Sequence, residues 1–387
     1  MVETLGLRTA IALLGSACAL TIGCGRGLRA GVDAEWVHDA GWVQDTVFSD
    51  TGAASCAPVA TSPCLPGPSE PTSLGLLGDI LNVYGLAPAG EQVFVGVAVA
   101  PMEAFQGRIV QISLGTREAS VFDLPGAMPL EMQVQAGALF YAPSSSDPAS
   151  SSGYVAPKVT RLDLQTGETR ELQNPDGFSS PTIGPLTGNA KAEIFWGLSE
   201  GERLAIAKWD PCTRETALLI EGQDVVSLFA DASTLFWQAP KDGRASGRIA
   251  FWSMPITGGP VSLLLEIAGM SWNGPGLLAI DDEDLYYLVD NDPIRSGILA
   301  MPKQGGESRT VIPNAWPLRM DSSTIDDTHI YWTGSEEQET LRRTPKRGGP
   351  NESLWSVPIR WIQAVAVDAC NVYWVAANPY EVFFRAK

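Results

Sequence analysis

Histidine is almost missing from this chain. Two occur in 387 residues, His38 and His329. With them goes the commonest general base at neutral pH. No cysteine and histidine stand at zinc-ligand spacing, and no Gly-x-Ser-x-Gly nucleophile elbow is present. No glycine-rich loop carries the Lys-Ser/Thr tail of a phosphate cradle; Gly305-Gly306 and Gly348-Gly349 read as hairpin turns. Asp290-Asn291-Asp292 starts like a calcium loop but lacks the later Gly and Glu ligands, so it too reads as a turn. No catalytic residue and no metal ligand are assigned on this basis. Positive charge is also short: 26 Lys and Arg face 44 Asp and Glu, a net −18. Such a surface repels a duplex and an anionic bilayer, so nucleic acid is excluded as an expected partner. The acids form no long block and read as a solubility device. Glycine (39) and proline (28) are plentiful, as the turns of an all-β repeat require.

Residues 1–24 read as an export signal. Arg8 supplies a short positive region, and Thr9 to Ile22 is apolar but too short to cross a bilayer comfortably. Leu20-Thr21-Ile22-Gly23-Cys24 resembles the site at which bacterial lipoproteins are cut and lipidated, which implies that Cys24 carries lipid. The likeness is imperfect, because Thr21 stands where that family usually has Leu. An ordinary cleaved signal is the alternative, and Cys18 is a weaker second lipidation candidate. Gly25 and Arg26 lack the acidic residue that retains many lipoproteins in the inner membrane. By that family rule the protein is exported to the periplasm or cell surface and held at the outer membrane by its lipid alone.

Setting aside Cys18 and Cys24 leaves four cysteines, Cys56, Cys64, Cys212 and Cys370. An even number suits an oxidising compartment. Cys56 and Cys64 enclose a short loop and form the candidate disulfide, although four cysteines allow three pairings. Cys212 and Cys370 sit in turns that can be bridged only if they face each other.

Residues 25–72 are rich in Gly, Ala, Asp, Ser, Thr and Pro, with no persistent period. They read as a disordered linker, because too little apolar area is available to offset ordering entropy. Two similar phrases, Glu35-Trp36-Val37-His38-Asp39 and Gly41-Trp42-Val43-Gln44-Asp45, interrupt it. They read as drift within the linker, with a short docking motif as the sharper alternative.

From residue 73 to 387 one phrase recurs seven times, an aliphatic residue followed by one or two aromatics. The anchors are Val93-Phe94, Leu139-Phe140-Tyr141, Ile194-Phe195-Trp196, Leu235-Phe236-Trp237, Leu285-Tyr286-Tyr287, Ile330-Tyr331-Trp332 and Val372-Tyr373-Trp374. Their spacings of 46, 55, 41, 50, 45 and 42 residues, in short-strand sequence, are the signature of a β-propeller. The expected fold is all-β, with seven four-stranded blades. Blades are sandwiched between neighbours, so the aromatic runs read as core rather than as a cofactor box. The last unit stops after Val382-Phe383-Phe384-Arg385 without a fourth strand, which would leave a raw edge. Leu74 to Ile80 has no blade of its own and is expected to close the ring there. Asp231, Asp281, Asp326 and Asp368 each stand four residues before an anchor, and read as turn caps rather than metal ligands.

The unit running from Asp326 to Trp332 and from Leu341 to Gly349 resembles YWTD- and NHL-type propellers and exported bacterial propeller lipoproteins that share such a repeat. The likeness is good over residues 277–387, fair over 194–265 and faint over 80–175. It implies a ring of six to eight blades that binds a protein, peptide or glycan. Fold alone leaves the activity open. The leading expectation is a monomeric, non-enzymatic binding platform without a cofactor. Its binding face is sought where the loops between second and third strands open, such as the Ser-rich 142–157. Arg244 and Arg248, with Trp237 and Trp252 nearby in sequence, are the candidate contact residues. His329, beside Asp326 and Asp327 in a turn, reads as a surface residue. Two alternatives stand: an enzyme acting on a sugar or lactone with channel carboxylates and bound calcium, and a structural part of a cell-surface complex.

Overall fold

A computed structural model describes residues 67–387, apart from 79, 100–105, 125–126, 145–157, 180, 244–245, 269–275, 290–296, 314–322, 336–338 and 357–360. The signal, Cys24, Cys56, Cys64, Arg244 and most of the 142–157 loop lie outside the described residues. Every described element is a strand. The strands form seven four-stranded antiparallel sheets, the blades of a β-propeller. The first, innermost strands are Ile80–Ala89 (blade 1), Met128–Gln135 (blade 2), Thr182–Gly188 (blade 3), Ser227–Ala230 (blade 4), Leu277–Ile280 (blade 5), Ser323–Ile325 (blade 6) and Ile362–Val367 (blade 7). Each packs on the innermost strands of the blades before and after it, and blade 7 returns to blade 1.

The anchor phrases all fall on the second strands, and alternation explains why each needs its neighbours. Successive side chains of a strand point to opposite faces. Phe195 therefore enters the seam between blades 3 and 4, while Ile194 and Trp196 enter the seam between blades 2 and 3. The same rule sends Phe236 forward and Trp237 back, Tyr286 forward and Tyr287 back, Tyr331 forward and Trp332 back. Tyr373 reaches blade 1 and Trp374 reaches blade 6. Almost all of these rings are fully buried. No blade holds a complete core; each seam is filled from both sides.

The ring closes as the missing fourth strand required. Thr72–Leu76 pairs antiparallel with Glu381–Ala386, matching Thr72 to Phe384 and Leu76 to Glu381 around a bulge at Ser73–Gly75. Contacts reach back before residue 73: the Ala386 N–H donates to the Pro68 carbonyl at 2.8 Å. Ile80 was expected in this closing strand but starts the inner strand of blade 1. The chain passes from one to the other through Leu77, whose N–H donates to the Tyr380 carbonyl at 3.0 Å.

Candidate functional site

The ring has two ends. At the turn end lie the turns joining first to second and third to fourth strands. At the link end the chain passes between blades, and the loops between second and third strands open.

The acids expected as turn caps occupy the turn end, and each is fully engaged. Asp281 Oδ1 accepts the N–H groups of Glu283 and Asp284 at 2.9 and 2.8 Å. Its Oδ2 accepts the Tyr286 hydroxyl at 2.8 Å and Lys346 Nζ of the next blade at 2.6 Å. Asp326 repeats this with Thr328, His329, Tyr331 and Lys387. Asp231 does so with Ser233, Thr234 and Lys303. Where the tyrosine would stand, blade 4 has Phe236, and Lys303 lies over that ring instead. Asp368 caps Cys370 and Asn371 and accepts the Tyr373 hydroxyl at 2.7 Å. In blade 3 the cap moves one position, to Asn189. Burial opposes the charge on Asp281, but Lys346, the two N–H groups and Tyr286 outweigh it and push the carboxyl down to about 2. Asp326 is held lower still, against the same opposing burial and by the same kinds of partner. These carboxylates are latches between blades. Among the described residues no group of three or more ligating side chains could hold a metal ion.

His329 shares this end, its Nδ1 2.7 Å from the Thr328 hydroxyl. The proposed contact group does not assemble. Trp237 is fully buried in the seam between blades 3 and 4, its indole N–H donating to Gln223 Oε1 at 3.2 Å. Trp252 is half-buried against the same seam. These tryptophans are core, because on the two middle strands of a blade both faces are covered. Arg248 does lie at the link end, but its charge is met by Asp242 at 3.3 Å and by Glu266.

The link end carries a different set. The seven inner strands contain one charged residue, Glu131, so the described wall of the channel is almost free of charge. Large apolar side chains are exposed around its opening: Trp361 (54%), Leu76 (58%), Leu81 (40%) and Val226 (37%). Trp361 and Leu81 stand at the starts of adjacent inner strands, in blades 7 and 1. Two hydrogen bonds fix this corner. The Ala377 N–H donates to the Trp361 carbonyl at 2.7 Å. The Tyr380 hydroxyl donates to the Leu81 carbonyl at 2.8 Å. Burial, with Tyr84 nearby, pushes the Tyr380 hydroxyl up, so it stays protonated and keeps donating. The seam between blades 7 and 1 thus presents a fixed apolar mouth. Sequence reasoning missed it because an exposed tryptophan reads like a core one. The available signal was position: Trp361 lies off the anchor period, 11 residues before Val372.

No family model and no curated protein matches the chain. Solved structures do. The chain is similar to the β-propeller domain of the trilobed protease from Pyrococcus furiosus, at 13% identity and TM-score 0.60, covering 79% of this chain and 95% of that one. That domain is described as having an open velcro topology; here Thr72–Leu76 supplies the closing strand. A catalytically inactive variant of virginiamycin B lyase from Staphylococcus aureus, with quinupristin, matches at 14% identity and TM-score 0.55, covering 82% and 99%. A puromycin-hydrolyzing peptidase of Mycobacterium tuberculosis matches at 14% identity and TM-score 0.59, covering 83% of this chain and 54% of that one. At such identities the likeness establishes the fold.

Proposed function

We propose that this chain is an exported, lipid-anchored binding module whose ring takes an apolar peptide segment of a partner protein at the link-end mouth. The observation that carries the reading is the pairing of a nearly uncharged channel wall with exposed Trp361, Leu81 and Leu76 at one opening. An exposed cluster of this kind on a rigid scaffold marks an interaction site. Aromatic and aliphatic side chains suit an apolar peptide better than a sugar, which needs an array of polar partners. The net charge of −18 favours segments that are neutral or basic. Cys24 at the outer membrane, with residues 25–72 as spacer, is the proposed anchor. Among the proteins of similar build are some named as peptidases, which fits a ring of a size to admit peptide.

The test uses the full chain on a short-peptide array, compared with a Trp361→Ser/Leu81→Ser variant. The reading expects apolar peptides retained by the wild type and weakened at least tenfold by the variant, with the melting temperature unchanged. Equal binding by both proteins sinks it. The enzyme reading rests on Glu131, the one carboxylate on the described inner strands. Turnover of a sugar or lactone that is abolished by Glu131→Gln or by a chelator would replace the binding reading.

A further inference from the structure

Cys212 and Cys370 are both disulfide-bonded. Their turns do not face each other. Cys370 lies in the first turn of blade 7 and Cys212 in the last turn of blade 3, with blades 1 and 2 between them. Packed sheets stand about 10 Å apart, so roughly three such spacings separate the turns. A disulfide tolerates a Cα separation of about 7 Å at most. The partners must be other cysteines. The leader reading removes Cys18 and Cys24, which leaves Cys56 and Cys64.

The register around Gly67 assigns one of them. The Gly67 N–H donates to Asn371 Oδ1 at 2.5 Å, beside Cys370. The Lys387 N–H donates to the Cys370 carbonyl at 3.0 Å, and the Ala386 N–H to the Pro68 carbonyl. A Cβ at residue 67 would stand 2.7 Å from that Asn371 oxygen and 3.0 Å from the Phe384 ring, so only glycine allows this approach. Cys64 is three residues upstream, a reach of at most about 10 Å. Cys56 is eight residues further, a reach of at most about 28 Å, the same scale as the separation of the two turns. Both turns open at the same end of the ring.

We propose that Cys64 is bonded to Cys370 and Cys56 to Cys212, sewing the chain ahead of the ring to blades 7 and 3. This replaces the local Cys56–Cys64 pair expected from spacing. Each bond forms as two thiols give up two protons and two electrons. The electrons pass by thiol–disulfide exchange to a disulfide-bearing oxidant, which leaves as a dithiol. Such bonds persist only in an oxidising compartment.

The experiment alkylates the full chain without reductant, digests it and identifies linked peptides by mass spectrometry. No common protease separates Cys56 from Cys64, so the deciding protein is the Cys56→Ser/Cys212→Ser variant. It should show the Cys64 peptide linked to the Cys370 peptide and no alkylated thiol in either. Its counterpart, Cys64→Ser/Cys370→Ser, should keep the Cys56–Cys212 link and melt about 5 °C lower than wild type, a gap that reductant removes. Alkylated Cys64 and Cys370 in the first variant, or alkylated Cys56 and Cys212 in the second, overturns the assignment. It stands independently of peptide binding at the other end.

Discussion

Replacing Asp281 by Asn removes one inter-blade latch while keeping an oxygen for the turn. Lys346 Nζ lies 2.6 Å from Asp281, and the two side chains are only 12% and 17% exposed. Breaking a buried pair costs 3–5 kcal/mol, and the remaining water contact here reduces that to about 2 kcal/mol. For a ring of roughly 320 residues the unfolding entropy is about 0.7 kcal/mol/K, so the melting temperature should fall by ~3 °C. Differential scanning calorimetry at pH 7 reads this directly. A cycle with Lys346→Met should give a coupling energy on the order of 1 kcal/mol or more. The carboxyl is held at about 2, below its ordinary 3.8. A depressed folded value means the contribution is fully present above about pH 4 and is lost as the pH falls toward 2. The stability gap between wild type and Asp281→Asn should therefore close over that window. A melting temperature within half a degree of wild type, or a gap that persists unchanged at pH 2, would refute the latch.

Three other outcomes follow from the same structure. Trp374→Ala empties the seam between blades 6 and 7 and should cost about 3–5 kcal/mol in denaturant unfolding, against almost nothing for Trp361→Ala on the surface. Removing residues 67–76 should lower the melting temperature by many degrees and promote self-association through the bared edge of Glu381–Ala386, visible by size exclusion. Lys387→Ala, though at residue 387, should destabilise like an interior change because its ammonium lies 2.9 Å from Asp326.

Much of the architecture was legible because it rests on periodicity. Seven anchors at near-constant spacing forced seven blades, and an unmatched edge after Arg385 forced closure by residues near 74. The turn role of the four acids was legible too, since Asp before a tight turn caps it locally. Their second role was not. Lys303 and Lys346 read as turn residues beside paired glycines, and only the stacking of the next blade carries them to Asp231 and Asp281. The site was harder still. Proximity in sequence suggested that Trp237, Trp252 and Arg248 share a surface, but alternation sends both tryptophans inward and leaves the arginine among carboxylates. Trp361 and Leu81 are some 280 residues apart in number, and ring closure alone makes them neighbours.

The seams carry a consequence for how this molecule can be divided. Because Phe195 serves blade 4 and Trp196 serves blade 2, a cut through the chain never separates one finished core from another. A break in a link-end loop should leave two pieces that each expose half of two seams, insoluble apart yet able to recognise each other when mixed. The ring would then behave as a lock whose two halves are each the only key to the other.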